Sequence, residues 1–98
     1  MRPTYPLAAI KAAVAERGVA AFTRSALLGI REAGLTTDEA QLIVQGIRPM
    51  TFYKTMPSEQ VPGEWQDVYR VPGVGYPDLY VKFTLRTNGK IVISFKPR

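Results

Sequence analysis

At 98 residues and 46% hydrophobic content, the chain is sized for one domain, residues 1–98, whose core needs no covalent staples. It has neither cysteine nor histidine, which excludes disulfides, thiolate metal sites and every nucleophile arrangement built on imidazole. Lys plus Arg total 13 against 8 Asp plus Glu, a formal charge of +5, and such a balance leans towards polyanionic partners.

No apolar run reaches transmembrane length. Lys11 and Glu16 interrupt the alanine-rich N-terminal segment, so it lacks a signal-peptide core. The expectation is a cytoplasmic protein with no membrane partner. The carboxylates show no loop-type ligand spacing, so no metal and no cofactor are expected.

In chain order, Pro6 suits the first turn of a helix and Gly18 its C-terminal cap, with Leu7, Ile10 and Val14 on one stripe. Val19–Phe22 reads as a connector or a short edge strand. Thr23 can cap a second helix from Arg24 to about Ala33, with Leu27 and Ile30 inward and Gly34 ending it. Thr36 and Glu39 form a capping box before Ala40, Ile43, Val44 and Ile47, which repeat at helical spacing. Pro49 stops that third helix.

After Pro49 the periodicity turns extended. Met50–Met56 reads as a strand, Pro57–Gly63 as a loop, and Trp65–Val71 as the next strand, with Trp65 expected in the core, although an exposed tryptophan would make a base-stacking platform. Pro72–Pro77 is a turn cluster. Leu79–Arg86 and Ile91–Lys96 alternate apolar and polar residues and predict a terminal hairpin. Directly opposed residues share a face. A two-residue Asn88-Gly89 loop would pair Leu85 with Val92 and set an apolar face against a polar one. A three-residue Thr87–Gly89 loop, with Gly89 left-handed, pairs Leu85 with Ile91 and Phe83 with Ile93 instead. That register sets Tyr80 opposite Lys96, with Lys82 and Arg86 on the same solvent face. Helices followed by antiparallel strands define an α+β fold.

Without His or Cys, proton transfer falls to Lys, Tyr, Asp and Glu. That set can cleave RNA: a base takes the 2′-hydroxyl proton, cations stabilise the transition-state phosphorane, and an acid protonates the departing 5′ oxygen. Each residue also has a plainer reading. Lys96 suits an edge charge, Tyr80 a cross-strand packing residue, and Gln66 and Asp67 ordinary strand pairing. From the residues alone, a non-catalytic basic module that binds RNA or a partner protein stays open beside an enzyme. Acidic residues around the junction of the second and third helices disfavour a DNA-reading helix-turn-helix.

Thr23-Arg24-Ser25-Ala26-Leu27-Leu28, Phe52-Tyr53-Lys54-Thr55-Met56, Trp65-Gln66-Asp67-Val68-Tyr69, Tyr80-Val81-Lys82 and Ile93-Ser94-Phe95-Lys96, in that order, resemble the MqsR (motility quorum-sensing regulator) family of type II toxin–antitoxin toxins. The resemblance implies a RelE-like fold, with N-terminal helices packed on a twisted antiparallel sheet that ends in a C-terminal hairpin. It implies a ribosome-independent, metal-independent endoribonuclease (an mRNA interferase) acting on single-stranded mRNA. The implied partner is a cognate antitoxin, with operator DNA reached only through it. By matching position it implies catalytic residues Lys54, Gln66, Tyr80 and Lys96. Substrate-binding candidates are Tyr53, Arg24, Arg70 and Lys82.

Overall fold

The computed structural model describes residues 1–58, 61–87 and 90–98. Three helices precede four strands: α1 (Leu7–Arg17), α2 (Arg24–Glu32), α3 (Thr37–Gln45), β1 (Phe52–Pro57), β2 (Trp65–Val71), β3 (Leu79–Leu85) and β4 (Ile91–Pro97). The strands form one antiparallel sheet in the order β1-β2-β3-β4. This is the expected α+β, RelE-like arrangement. No helix among the described residues is long and apolar enough to cross a membrane.

The helix boundaries follow local chemistry. Pro6 stands at the N-cap of α1, one residue earlier than expected, and its carbonyl accepts from the amides of Ala9 and Ile10. Gly18 ends α1 at φ 59°, a left-handed value that a side chain would strain. Gly18–Ala21 is a 3-10 turn, and Phe22 beyond it makes a single parallel bridge to Ile93, so the segment is a connector with one strand-like contact. The capping box of α3 is complete: Thr36 N–H donates to Glu39 Oε1 at 2.9 Å and Glu39 N–H to Thr36 Oγ1 at 3.1 Å.

One face of the sheet is roofed by the helices. Ile10, Val14, Ile30 and Val44 meet Tyr69, Leu79, Val81, Phe83, Ile93 and Phe95 in one buried cluster. Phe22–Phe95 and Tyr69–Phe83 pack edge to face within it. The odd-numbered residues of β3 and β4 point into this core. The hairpin register pairs Leu85 with Ile91, Phe83 with Ile93 and Tyr80 with Lys96, as parity predicts. The conformation expected of Gly89 lies outside the described residues.

Helix α2 covers the outer edge of β4. Thr23 Oγ1 accepts from Ala26 N–H at 3.1 Å and donates to Ile93 O at 2.8 Å, which ties the cap of α2 to the strand. The approach is so close that a Cβ on Gly29 would stand 1.8 Å from Phe95 O. An edge covered by a helix offers no pairing template to other chains.

Three expectations need correcting. Leu27 is exposed, because only the small and inward residues Ala26, Gly29 and Ile30 fit the contact with β4. Pro49–Thr51 form a 3-10 turn, so β1 begins at Phe52 and runs through Pro57. Trp65 is not a core residue: it opens β2, beyond the roof of the helices, and is 44% exposed.

Asp67 is fully buried on the helix side of β2. Its two carboxylate oxygens accept the amides of Thr4 and Tyr5 at 2.9 and 2.8 Å, which straps the N-terminal segment over β2. Thr4 and Thr55 hydroxyls meet at 2.6 Å, and Tyr5 donates its hydroxyl to Trp65 O at 2.8 Å, extending the strap. Asp67 is therefore a structural residue, and beyond the strand pairing expected of it, it holds the N-terminal segment.

Candidate functional site

The face of the sheet turned away from the helices carries most of the residues singled out above. Arg70 of β2 pairs with Tyr80 of β3, and Tyr80 pairs with Lys96 of β4, so three side chains stand abreast across neighbouring strands. One step along, Lys54, Val68, Lys82 and Ser94 form a second row. Val68 is nearly fully buried there although no helix covers it, and its flanking neighbours are Lys54 and Lys82. The aliphatic stems of long cationic side chains can cover such a residue while their charges stay in water.

Position Lys54 owes its place to an irregularity in β1. Phe52 pairs with Tyr69 and Lys54 with Val68, so two steps on β1 answer one step on β2 and Tyr53 is the extra residue. In an unbroken strand Lys54 would share the helix side with Phe52, which packs on Tyr69 in the core. The bulge turns both Tyr53 and Lys54 to the open face and returns Thr55 to the helix side, where it meets Thr4.

Tyr53 then lies among the other site groups. The Arg70 guanidinium carbon is 3.6 Å from its ring centroid, Lys54 Nζ is 5.2 Å away, and the Tyr80 ring stacks at 6.3 Å and 29°. Tyr80 has a further neighbour that sequence reasoning missed. The guanidinium of Arg98 lies 5.2 Å from the Tyr80 ring, held by its own amide on Asp78 O and by a 3.9 Å ion pair with the Asp78 carboxylate. Nothing in the sequence signals this, because Arg98 follows the last strand.

The face is electrostatically unbalanced. Among the described residues the ion pairs are Arg86–Glu64 and Arg98–Asp78. Lys54, Arg70, Lys82 and Lys96 thus lack a carboxylate partner there, while Asp67 is turned to the other side of the sheet. Four uncompensated cations on one surface attract a chain of negative charges. No three acidic side chains converge among the described residues to hold a metal ion. A groove of about 570 Å³ exists, but Ile43, Ile47, Met50 and Tyr76 line it on the helix side, away from these cations. The open face is a platform rather than a pocket.

Comparison with known proteins gives the family. Residues 2–97 match the family described as "Motility quorum-sensing regulator, toxin of MqsA". The chain belongs to that family. The mRNA interferase toxin MqsR of Escherichia coli (strain K12) is 37% identical over 76 residues, which is 78% of this chain and 76% of that protein. Of the positions that carry the family resemblance, Lys54, Tyr80 and Lys96 lie within two neighbouring rows of this surface.

Gln66 lies on the same face in the next row beyond Lys54: it pairs with Met56, two residues along β2 from Val68, the partner of Lys54, and four from Arg70, roughly 13 Å by the rise of a strand. Arg24 lies off the sheet, exposed at the first residue of α2 beside the outer edge of β4. Tyr53, Arg70 and Lys82 do share the open face. Trp65 belongs by strand parity to the helix side with Asp67 and Tyr69, so its exposed ring is not part of this platform.

Proposed function

We propose that this chain is an endoribonuclease toxin that cuts single-stranded mRNA without a metal ion and without the ribosome. The observation that carries the reading is the row Arg70–Tyr80–Lys96, a phenol between two cations on a face without balancing carboxylates among the described residues. The name of the Escherichia coli relative, an mRNA interferase toxin, supports it.

In this reading the ribose 2′ oxygen attacks the adjacent phosphorus while its proton passes to a base. The P–O5′ bond breaks, the 5′ oxygen takes a proton, and a cyclic phosphate remains. Tyr80 serves proton transfer or grips the scissile phosphate. Lys96 and Lys54 stabilise the charge that accumulates on the non-bridging oxygens. Gln66, at the far end of the face, holds a neighbouring nucleotide rather than the reacting one. Lys82 and Arg70 hold backbone phosphates, and Arg24 meets RNA that leaves the sheet past β4. A cognate antitoxin keeps the toxin inactive in the cell.

Purified protein incubated with single-stranded RNA in EDTA tests the reading. Cleavage should persist with the chelator and vanish in Lys96→Ala and Tyr80→Phe, with unchanged circular dichroism and melting temperature. RNA binding without cleavage would refute it and leave a non-catalytic basic module. Expression alone should arrest growth, and the same substitutions should relieve the arrest.

A further inference from the structure

Tyr53 is an odd residue to find on a cationic face. It is 42% exposed, yet two cations and the Tyr80 ring converge on it. Its position depends on the β1 bulge, which costs a ladder hydrogen bond and a regular register. Such a feature calls for a compensating role.

The Arg70 contact is the closest of the three. The guanidinium carbon is 3.6 Å from the ring centroid, the spacing of two flat groups in face contact, and such a contact uses the face of Arg70 while leaving its edge for other partners. A guanidinium donates hydrogen bonds only in its own plane. Among the described residues neither a hydrogen bond nor an ion pair engages that edge. A stacked guanidinium with a free edge is already oriented for a bidentate grip on a phosphate and loses little freedom when the phosphate arrives. By pairing across β2 and β3 it stands directly beside Tyr80. Lys54, the other cation on the ring, sits one row further from Tyr80 and at a looser 5.2 Å.

We propose that Tyr53 is the positioning residue of this site, and that it holds Arg70 edge-outward beside Tyr80 so that Arg70 contacts the scissile phosphate as a catalytic cation together with Lys96. The inference rests on the ribonuclease reading above and exchanges the roles given there to Arg70 and Lys54. The transition-state charge falls to the Arg70–Lys96 pair that flanks Tyr80, and Lys54 supports the neighbouring phosphate. Tyr53 acts through its ring face, so its hydroxyl is dispensable. Lysine cannot replace Arg70, because an ammonium has no planar face to stack and no fork to present.

The test is a set of cleavage kinetics in EDTA on a short single-stranded RNA, with wild type and Lys96→Ala alongside. Those two controls report on the ribonuclease reading itself: if wild type does not cleave, that reading fails whatever the other variants do. Given wild-type cleavage, Tyr53→Phe should keep kcat within roughly 3-fold, the scale of a weak contact. Tyr53→Leu should lower kcat by roughly 10- to 100-fold, the scale of a misplaced catalytic group, with KM changed much less. Arg70→Ala and Arg70→Lys should both fall at least as far as Tyr53→Leu. The double variant Tyr53→Leu/Arg70→Ala should be no slower than Arg70→Ala alone, because the ring has nothing left to position. Melting curves and RNA affinity measured in parallel should stay near wild type for Tyr53→Leu. Equal losses in Tyr53→Phe and Tyr53→Leu would overturn the proposal by showing that the hydroxyl acts directly. Full recovery in Arg70→Lys, or independent and multiplicative effects in the double variant, would overturn it as well.

Discussion

Replacing Asp67 by asparagine should loosen the N-terminal strap without touching RNA cleavage. The carboxylate is fully buried and takes two backbone amides, Thr4 at 2.9 Å and Tyr5 at 2.8 Å, one on each oxygen. An asparagine of the same shape offers one oxygen and one NH2 group. It keeps a single, now neutral, bond and sets a donor against the second amide. A hydrogen bond to a charged group contributes about 1.5–3 kcal/mol, and relief of the buried charge offsets part of the loss. The net cost should be on the order of 2 kcal/mol, equivalent for a chain of this length to a fall in Tm on the order of 10 °C. Thermal and urea unfolding followed by circular dichroism measure the cost. Hydrogen exchange at the Thr4 and Tyr5 amides locates it: those two should lose protection while Val81 and Phe83, in the middle of the sheet, keep theirs in proportion to global stability. Cleavage at a temperature where the variant is folded should match wild type, because Asp67 faces the helices. A variant as stable as wild type but unable to cleave would refute this reasoning and make Asp67 a site residue.

Gly29→Ala should destabilise the protein by about 3 kcal/mol or more, since the new methyl would collide with the Phe95 carbonyl at 1.8 Å and main chain cannot swing aside; denaturant unfolding within about 0.5 kcal/mol of wild type, the margin of ordinary surface changes, would contradict the edge-capping role of α2. Burial, aided by the negative charge of Asp67, pushes the Tyr69 phenol up to about 12 from 10.0. The folded state therefore holds that proton more tightly, so its contribution is complete below pH 10 and is lost as pH rises towards 12. The loss should be on the order of 2–3 kcal/mol across that window and should shrink in Tyr69→Phe, read as unfolding free energy against pH. Lys82→Ala should weaken RNA binding and flatten the plot of log affinity against log salt by about 0.7, one phosphate contact on a single strand; an unchanged slope would place the RNA elsewhere.

Much of the site was legible because a strand has a two-residue period. Parity alone demanded the Leu85–Ile91 register, and that register placed Tyr80 opposite Lys96. Gln66 shows the limit of the same logic. It shares a face with Tyr80, but parity measures sides and not distances, and Gln66 stands at the other end of β2. Arg24 sits within a family block and yet lies on α2, off the sheet altogether. Trp65 has the composition of a core residue, but whether a roof extends over it depends on where the helices end.

What the sequence by itself determined is what propensity, capping chemistry and alternation encode within a few residues: the helices with Thr23 and Thr36 as caps, the hairpin, the excess of cations on the sheet half, and the absence of imidazole and thiol. What only the tertiary structure decided are the contacts between residues far apart in the chain. Asp67 takes up amides of Thr4 and Tyr5, more than sixty positions away, and Gly29 is a glycine because Phe95 O lies against it. The β1 bulge belongs to the same class. Phe52, Tyr53 and Lys54 are unremarkable in a strand. Core packing draws Phe52 to Tyr69 and the N-terminal strap holds Thr55 on the same side. With both ends of that segment committed to one face, the chain accommodates an extra residue between them. Tyr53 and Lys54 are left together on the open face, next to Arg70 and Tyr80.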